Sequence, residues 1–219
     1  MHVPVDLGSA RAQLMRWRWA IALGVGLSLV VAKRVWQSTG EPPDPLVVNG
    51  LLYIAAPLLL ALALMYRRVD VGLSLPRGRT AWAIVAVLLA AGVALAFAGT
   101  LFPAMMEYYP EPIWGEVEPT VASFVPYEAA IAFILLAVEF LFRGVLVLAV
   151  SERLGRWAIV VSAVPYALAH LGKPPEEVVF SLVAGLAFGW ADLRARSILP
   201  SFAAHFAGSA LFDLLALQG

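Results

Sequence analysis

Ala130-Ile-Ala-Phe-Ile-Leu-Leu-Ala-Val-Glu-Phe-Leu-Phe-Arg-Gly-Val-Leu-Val-Leu-Ala-Val150 is an apolar run broken by one acid, Glu139, and one base, Arg143. A run of this length is what a helix needs to cross a bilayer. A charge at that depth costs about 3 kcal/mol on insertion scales, so a chain that keeps two of them has a use for them. The pair is spaced i, i+4 with the acid nearer the N-terminus, the favoured order for partners on one helical face. One reading is a structural ion pair that locks this helix to its neighbours. The other is a carboxylate that activates water, or one that Arg143 holds in place. Gly144, next in line, allows another helix to come close.

The same character extends along the chain. The sequence is 62% hydrophobic and 14% charged, with a mean hydropathy of +0.85. Ordinary soluble domains are near half apolar and a quarter charged. The expectation is an all-α, polytopic transmembrane bundle. Its formal net charge of zero gives no basic surface for nucleic acid. The absence of cysteine excludes disulfides, thiolate metal sites and a cysteine nucleophile. No convincing cleavable signal peptide is visible.

Hydropathy predicts seven spans, at about 19–32, 46–65, 81–102, 127–150, 157–171, 175–193 and 198–217. Trp17, Trp19, Trp36, Trp82, Trp157 and Trp190 fall near their ends, where amphipathic rings settle at the headgroups. Arg11, Arg16 and Arg18 precede the first span. Arg67, Arg68, Arg77 and Arg79 follow the second, Arg153 and Arg156 the fourth, and Arg194 and Arg196 the sixth. With seven spans all four segments share one side, which predicts a cytoplasmic N-terminus. Lys33 and Arg34 fall on the other side and oppose that assignment. The loop 103–126 has no Lys or Arg but carries Glu107, Glu111, Glu116 and Glu118, with Trp114. It is expected outside, as a solvated connector or as a cap that meets a partner. The chain reads as one membrane domain, 1–219. Residues 1–126 hold three spans and the acidic loop, and 127–217 hold the core.

Two histidines lie in later apolar runs. Tyr166 and His170 are spaced i, i+4 near the end of the fifth span, before Leu171-Gly-Lys-Pro-Pro175 stops it. His205 is near the centre of the last span, with Ser209 and Asp213 at +4 and +8 along one stripe. Asp213 argues for an inward polar face, or for a hydrogen-bonded residue near the outer interface. Ala203, Ala204, Ala207, Gly208 and Ala210 suit tight packing around that stripe, and Gly185 with Gly189 reads as packing on the sixth span. A buried carboxylate and two intramembrane imidazoles, Glu139, His170 and His205, form the candidate active site.

These residues resemble the CPBP family (also called Abi), the intramembrane glutamic endopeptidases that include the CAAX prenyl endopeptidase and many bacterial relatives. The family pattern is Glu-Glu-x-x-x-Arg, Phe-x-x-x-His and His-x-x-x-Asn. Here these read Val138-Glu139-Phe140-Leu141-Phe142-Arg143, Tyr166-Ala167-Leu168-Ala169-His170 and His205-Phe206-Ala207-Gly208-Ser209. The resemblance covers about 127–217. It implies hydrolysis of a peptide bond in a membrane-anchored or C-terminally tailed substrate, in a bacterial inner membrane. It implies His170 and His205 as catalytic residues and makes Glu139 the family's second glutamate, which pairs with the arginine; the candidate catalytic set here is Glu139, His170 and His205, with Arg143, Ser209, Asp213 and Tyr166 in support.

Two departures stand out. Val138 occupies the position of the family's first glutamate, thought to activate water with the first histidine, and Ser209 replaces the asparagine that helps stabilise the oxyanion. Glu139 could take over as base with His170; Asp213, Glu128, Glu176 or Glu177 could substitute; or the chain could bind a transmembrane or lipidated peptide without cutting it, in an immunity, scaffold or regulatory role. A proton-relaying transporter is disfavoured, since no inverted repeat is visible. No cofactor is expected, although one carboxylate and two histidines could hold zinc; the His-Glu-x-x-His helix signature is absent.

Overall fold

The computed structural model describes residues 7–38, 44–111 and 120–218. The described chain is helical, with helices α1 (Leu7–Gln37) and α2 (Pro45–Ala63), then α3 (Gly78–Gly99) and the short α4 (Pro103–Tyr108). After them come α5 (Phe124–Leu154), α6 (Trp157–Leu168), α7 (Pro175–Ala195) and α8 (Leu199–Ala216). Six of these are long and apolar enough to cross a bilayer. The expected fifth span, α6, is shorter than hydropathy suggested. Its 12 residues extend about 18 Å, short of the ~30 Å hydrocarbon core. It holds Pro165 and ends at Leu168, so His170 lies in the turn beyond it. The first span is longer than expected, because α1 continues well to either side of 19–32.

Local chemistry sets the ends. The Asp44 side chain accepts hydrogen bonds from the N–H groups of Leu46 and Val47, and Pro45 opens α2. Pro175 opens α7, with Glu176 and Glu177 in its first turn against the positive end of the helix dipole. Gly72 has a φ of 74°, and an added Cβ would lie 2.7 Å from the Ile198 side chain. Its carbonyl accepts the Ile198 N–H at 3.1 Å.

α5 is the axis of the bundle. Every residue from Phe140 to Ala149 is buried, and this stretch winds as a π-helix, with N–H groups reaching five residues back, as Val150 does to Val145 at 3.3 Å. A segment apolar all round belongs in the centre. Ala22, Tyr53, Leu64, Tyr166 and Ile198 from the surrounding helices pack with it in one core. A Cβ on Gly144 would meet the Val71 carbonyl at 2.7 Å, so glycine is what allows that approach. Small residues close the other contacts, as expected. Gly92 of α3 backs onto Ala204 and Gly208 of α8, and Gly185 and Gly189 of α7 back onto Ala163 and Ile159 of α6.

The four arginine-bearing segments meet at one end of the bundle. Arg18 bonds Glu152, Tyr66 donates to Glu152 at 3.2 Å, and Arg196 lies 3.7 Å from Asp70, itself bonded to Arg67. This grouping agrees with the charge-bias reading. Lys33 and Arg34 lie at the opposite end and are occupied there. Lys33 donates to Asn49 Oδ1 at 2.9 Å and sits over the Tyr53 ring, and Arg34 donates to the Leu171 carbonyl at 2.9 Å. They serve packing, so they carry little weight as topology signals. The acidic loop begins as a cap at that end. α4 and Tyr109 pack on α7 and α8 through Phe102–Phe180 and Tyr109–Phe212 ring contacts at 5.5 and 5.6 Å. Trp114, Glu116 and Glu118 lie outside the described residues.

Candidate active site

Glu139 is the last α-helical residue before the wide segment and is fully buried, as is Arg143. Its Oε1 accepts a hydrogen bond from His205 Nδ1 at 2.7 Å. Its Oε2 lies 3.2 Å from Arg143 Nε, off the N–H direction, so that contact is ionic without an aligned hydrogen bond. Arg143 also donates to Ser162 Oγ at 3.5 Å, and Ser162 donates to the Phe142 carbonyl at 2.7 Å. Two opposite charges that satisfy each other lower the cost of burying both.

Tyr166 joins this pair to the histidines. Its ring lies 4.4 Å beneath the Arg143 guanidinium, 4.7 Å from the His170 ring and 6.4 Å from the His205 ring. Both imidazoles therefore flank one aromatic side chain, contributed by α6 and its following turn and by α8. Among the described residues, Glu139 and His170 make no ion contact within 4 Å. Glu139 faces His205 and Arg143 in a fully buried position.

His170 has different partners. Its Nδ1 lies 2.8 Å from the Tyr166 carbonyl, and its Nε2 lies 3.8 Å from Glu177 Oε1. A carbonyl only accepts, so Nδ1 carries the hydrogen and Nε2 presents a lone pair. Burial, then the charge of Lys173, pushes His170 down to about 3, which keeps it neutral at physiological pH. Lys173 Nζ contacts Glu177 Oε1 at 3.2 Å, Glu111 Oε2 at 2.9 Å and Tyr109 OH at 2.9 Å. Burial alone would favour its neutral form, but these neighbours outweigh burial and hold it well above the usual lysine range.

The remaining candidates separate. Ser209 is half-buried on α8. Asp213 is buried two turns beyond His205 and neighbours Glu128 of α5 instead of Glu139. Sequence reading missed Asp192, Ser201, Ser162 and Lys173. Asp192 is fully buried and accepts from the Ser201 N–H at 3.1 Å and from the Ser201 hydroxyl. It thereby anchors the first turn of the helix that carries His205. An acid near the end of a span looks like an interface residue, so only its lack of exposure could have flagged it. Among the described residues no three His, Cys, Asp or Glu side chains form a metal-ligand set.

The arrangement offers an imidazole fixed by a buried carboxylate, a second imidazole with a free lone pair beside another carboxylate, and an aromatic wall between them. Such a set can take a proton from water and give hydrogen bonds to a developing negative charge. Residues 119–211 match the family model described as type II CAAX prenyl endopeptidase Rce1-like. No curated protein and no solved structure matches the chain.

Proposed function

We propose, from the match of residues 119–211 to the Rce1-like family model, that the chain is an intramembrane endopeptidase. It hydrolyses a peptide bond of a membrane-anchored or C-terminally tailed substrate. The observation that carries this is the 2.7 Å bond between His205 Nδ1 and the buried Glu139. The carboxylate takes the hydrogen bond from Nδ1 and fixes the orientation of the ring, leaving Nε2 to act. His205 is 22% exposed at its side chain and Glu139 is 0% exposed, so the ring leads from the sealed carboxylate toward the accessible side.

In the proposed reaction, water attacks the scissile carbonyl carbon after losing a proton to a carboxylate–histidine pair that includes His170. This help supplies roughly 10²–10⁴-fold. With a hydrogen on each ring nitrogen, His205 gives Nδ1–H to Glu139 and Nε2–H to the developing oxyanion, worth roughly 10²–10³-fold. Arg143 holds Glu139, and Tyr166 holds the two rings apart. A second reading, a non-cutting binder of transmembrane or lipidated peptides, is favoured by one observation, Val138 in place of the family's first glutamate.

The test uses the full chain in lipid nanodiscs with a library of membrane-anchored and C-terminally tailed peptides, read by mass spectrometry. Specific cleavage is expected from the wild type. Loss is expected with Glu139→Gln and with His170→Ala, each normalised to folded protein. Cleavage that survives both changes removes these residues from the mechanism. No cleavage by the wild type favours the binder.

A further inference from the structure

Glu139 is poorly placed to take a proton from water, because both of its oxygens face cation-capable groups in a fully buried position. We propose that Glu177, acting with His170, binds and deprotonates the nucleophilic water. This assignment rests on the endopeptidase reading and gives that reaction its base.

The geometry comes from a short, tightly wound unit. The Lys173 N–H bonds the His170 carbonyl at 3.1 Å, and the Glu177 N–H bonds the Pro174 carbonyl at 2.9 Å. The eight residues 170–177 thus bring the imidazole and the carboxylate face to face. His170 Nε2 and Glu177 Oε1 are 3.8 Å apart. Both are acceptors, because Nδ1 spends the ring's hydrogen on the Tyr166 carbonyl. That separation exceeds a direct hydrogen bond of about 2.7–3.2 Å and suits one molecule that donates an O–H to each. Water is the smallest such donor. Glu177 Oε2 is buried and accepts no hydrogen bond from the protein. A buried acceptor of that kind calls for a donor. Lys173, 3.2 Å from Oε1, holds the carboxylate in place, and Lys173 is in turn fixed by Tyr109 and Glu111.

The step balances without a co-reactant. One water O–H bond breaks and its proton goes to Glu177, while the other O–H is held by His170 Nε2. The water oxygen bonds the substrate carbonyl carbon, and the carbonyl electron pair moves onto oxygen, where His205 receives it. The C–N bond then breaks, the proton on Glu177 passes to the leaving nitrogen, and a carboxylic acid and an amine result. Glu139 becomes a positioning residue for His205.

The experiment compares wild type, Glu177→Gln and Glu177→Asp in nanodiscs, with kcat and KM measured on a peptide that the wild type cleaves. Unfolding midpoints are recorded in parallel. The expected result for E177Q is a fall in kcat of roughly 10²–10⁴-fold with KM within about threefold and a folded protein. E177D keeps the charge and the Lys173 contact and should retain an intermediate kcat; if E177Q fails to fold, E177D alone decides. A kcat within about threefold of wild type in a folded E177Q or E177D variant overturns the assignment and leaves the endopeptidase reading intact. A wild type that cleaves nothing overturns both.

Discussion

The guanidinium of Arg143 lies over the ring of Tyr166, 4.4 Å from its centroid, and that ring stands edge-on to His170 and His205. One side chain thereby fixes the spacing of a buried ion pair and two imidazoles. Tyr166 is 2% exposed. Tyr166→Ala should cost about 3–5 kcal/mol, the range for removing a buried aromatic ring. Tyr166→Phe keeps every ring contact and should cost less than about 1 kcal/mol. Unfolding in detergent micelles checks both, and equal losses would show that the hydroxyl, and not the ring, carries the contact.

The Glu139–Arg143 pair makes a prediction about additivity. Removing one partner leaves the other charged and buried, which costs about 3–5 kcal/mol. Arg143→Met and Glu139→Gln should each reach that range. The double variant should lose clearly less than the two single losses together, because neither charge is stranded. A double-variant cycle measures this, and simple additivity would mean the two groups act independently.

Gly92 is a steric test of the α3–α8 contact. A Cβ there would lie 2.5 Å from the Ala204 carbonyl oxygen. Gly92→Ala must push α8 away and should destabilise by about 1–3 kcal/mol. Gly24, with nothing within 4 Å of an added Cβ, is the control: Gly24→Ala should be neutral or stabilising. Thermal midpoints of the two variants should separate in that order.

His170 predicts a pH dependence. It is held at about 3 against an ordinary 6.5. Burial is the first cause, and the charges of Lys173, His205 and Lys33 add to it, while Lys173 shares the Glu177 oxygen and offsets that carboxylate's pull. Between those two values the unfolded chain binds a proton that the folded chain refuses. Stability is therefore lost as pH falls below about 6.5 and continues to fall toward 3. His170→Asn should flatten that slope. Unfolding midpoints from pH 7 to pH 4 check the sign, and a slope unchanged by the substitution would remove His170 as its source.

The absence of cysteine makes topology directly testable. Arg153→Cys should react with an impermeant maleimide from the cytoplasmic face, and Glu107→Cys from the opposite face. Labelling of both from one side would refute the single crossing, α5, between them.

Much of this was legible in the residues. Hydropathy gave the helices, and arginine bias grouped the segments that meet through Arg18, Glu152, Asp70 and Arg196. The acid and base inside an apolar run marked the centre of the bundle. Three things were not legible. The partner of Glu139 depended on which of two histidines reached it first, a question of packing. The short α6 was masked because the apolar run continues past its helical end to Leu171. Lys173 looked like a loop lysine, and Asp192 like a helix-end acid, because hydropathy records composition and not enclosure.

The widened winding between Phe140 and Ala149 has a consequence for the length of the chain itself. A wide turn accommodates a residue that ordinary winding would not, and an α-helix rotates about 100° per residue. Deleting one residue from this stretch would allow it to tighten to ordinary winding, with Glu139 and Glu152 keeping their facing, whereas the same deletion in a regular α-helix swings one end by about 100°. Loss of a single codon there should therefore be better tolerated than loss of one from the regular turns of α3 or α7, where it would re-aim everything beyond it.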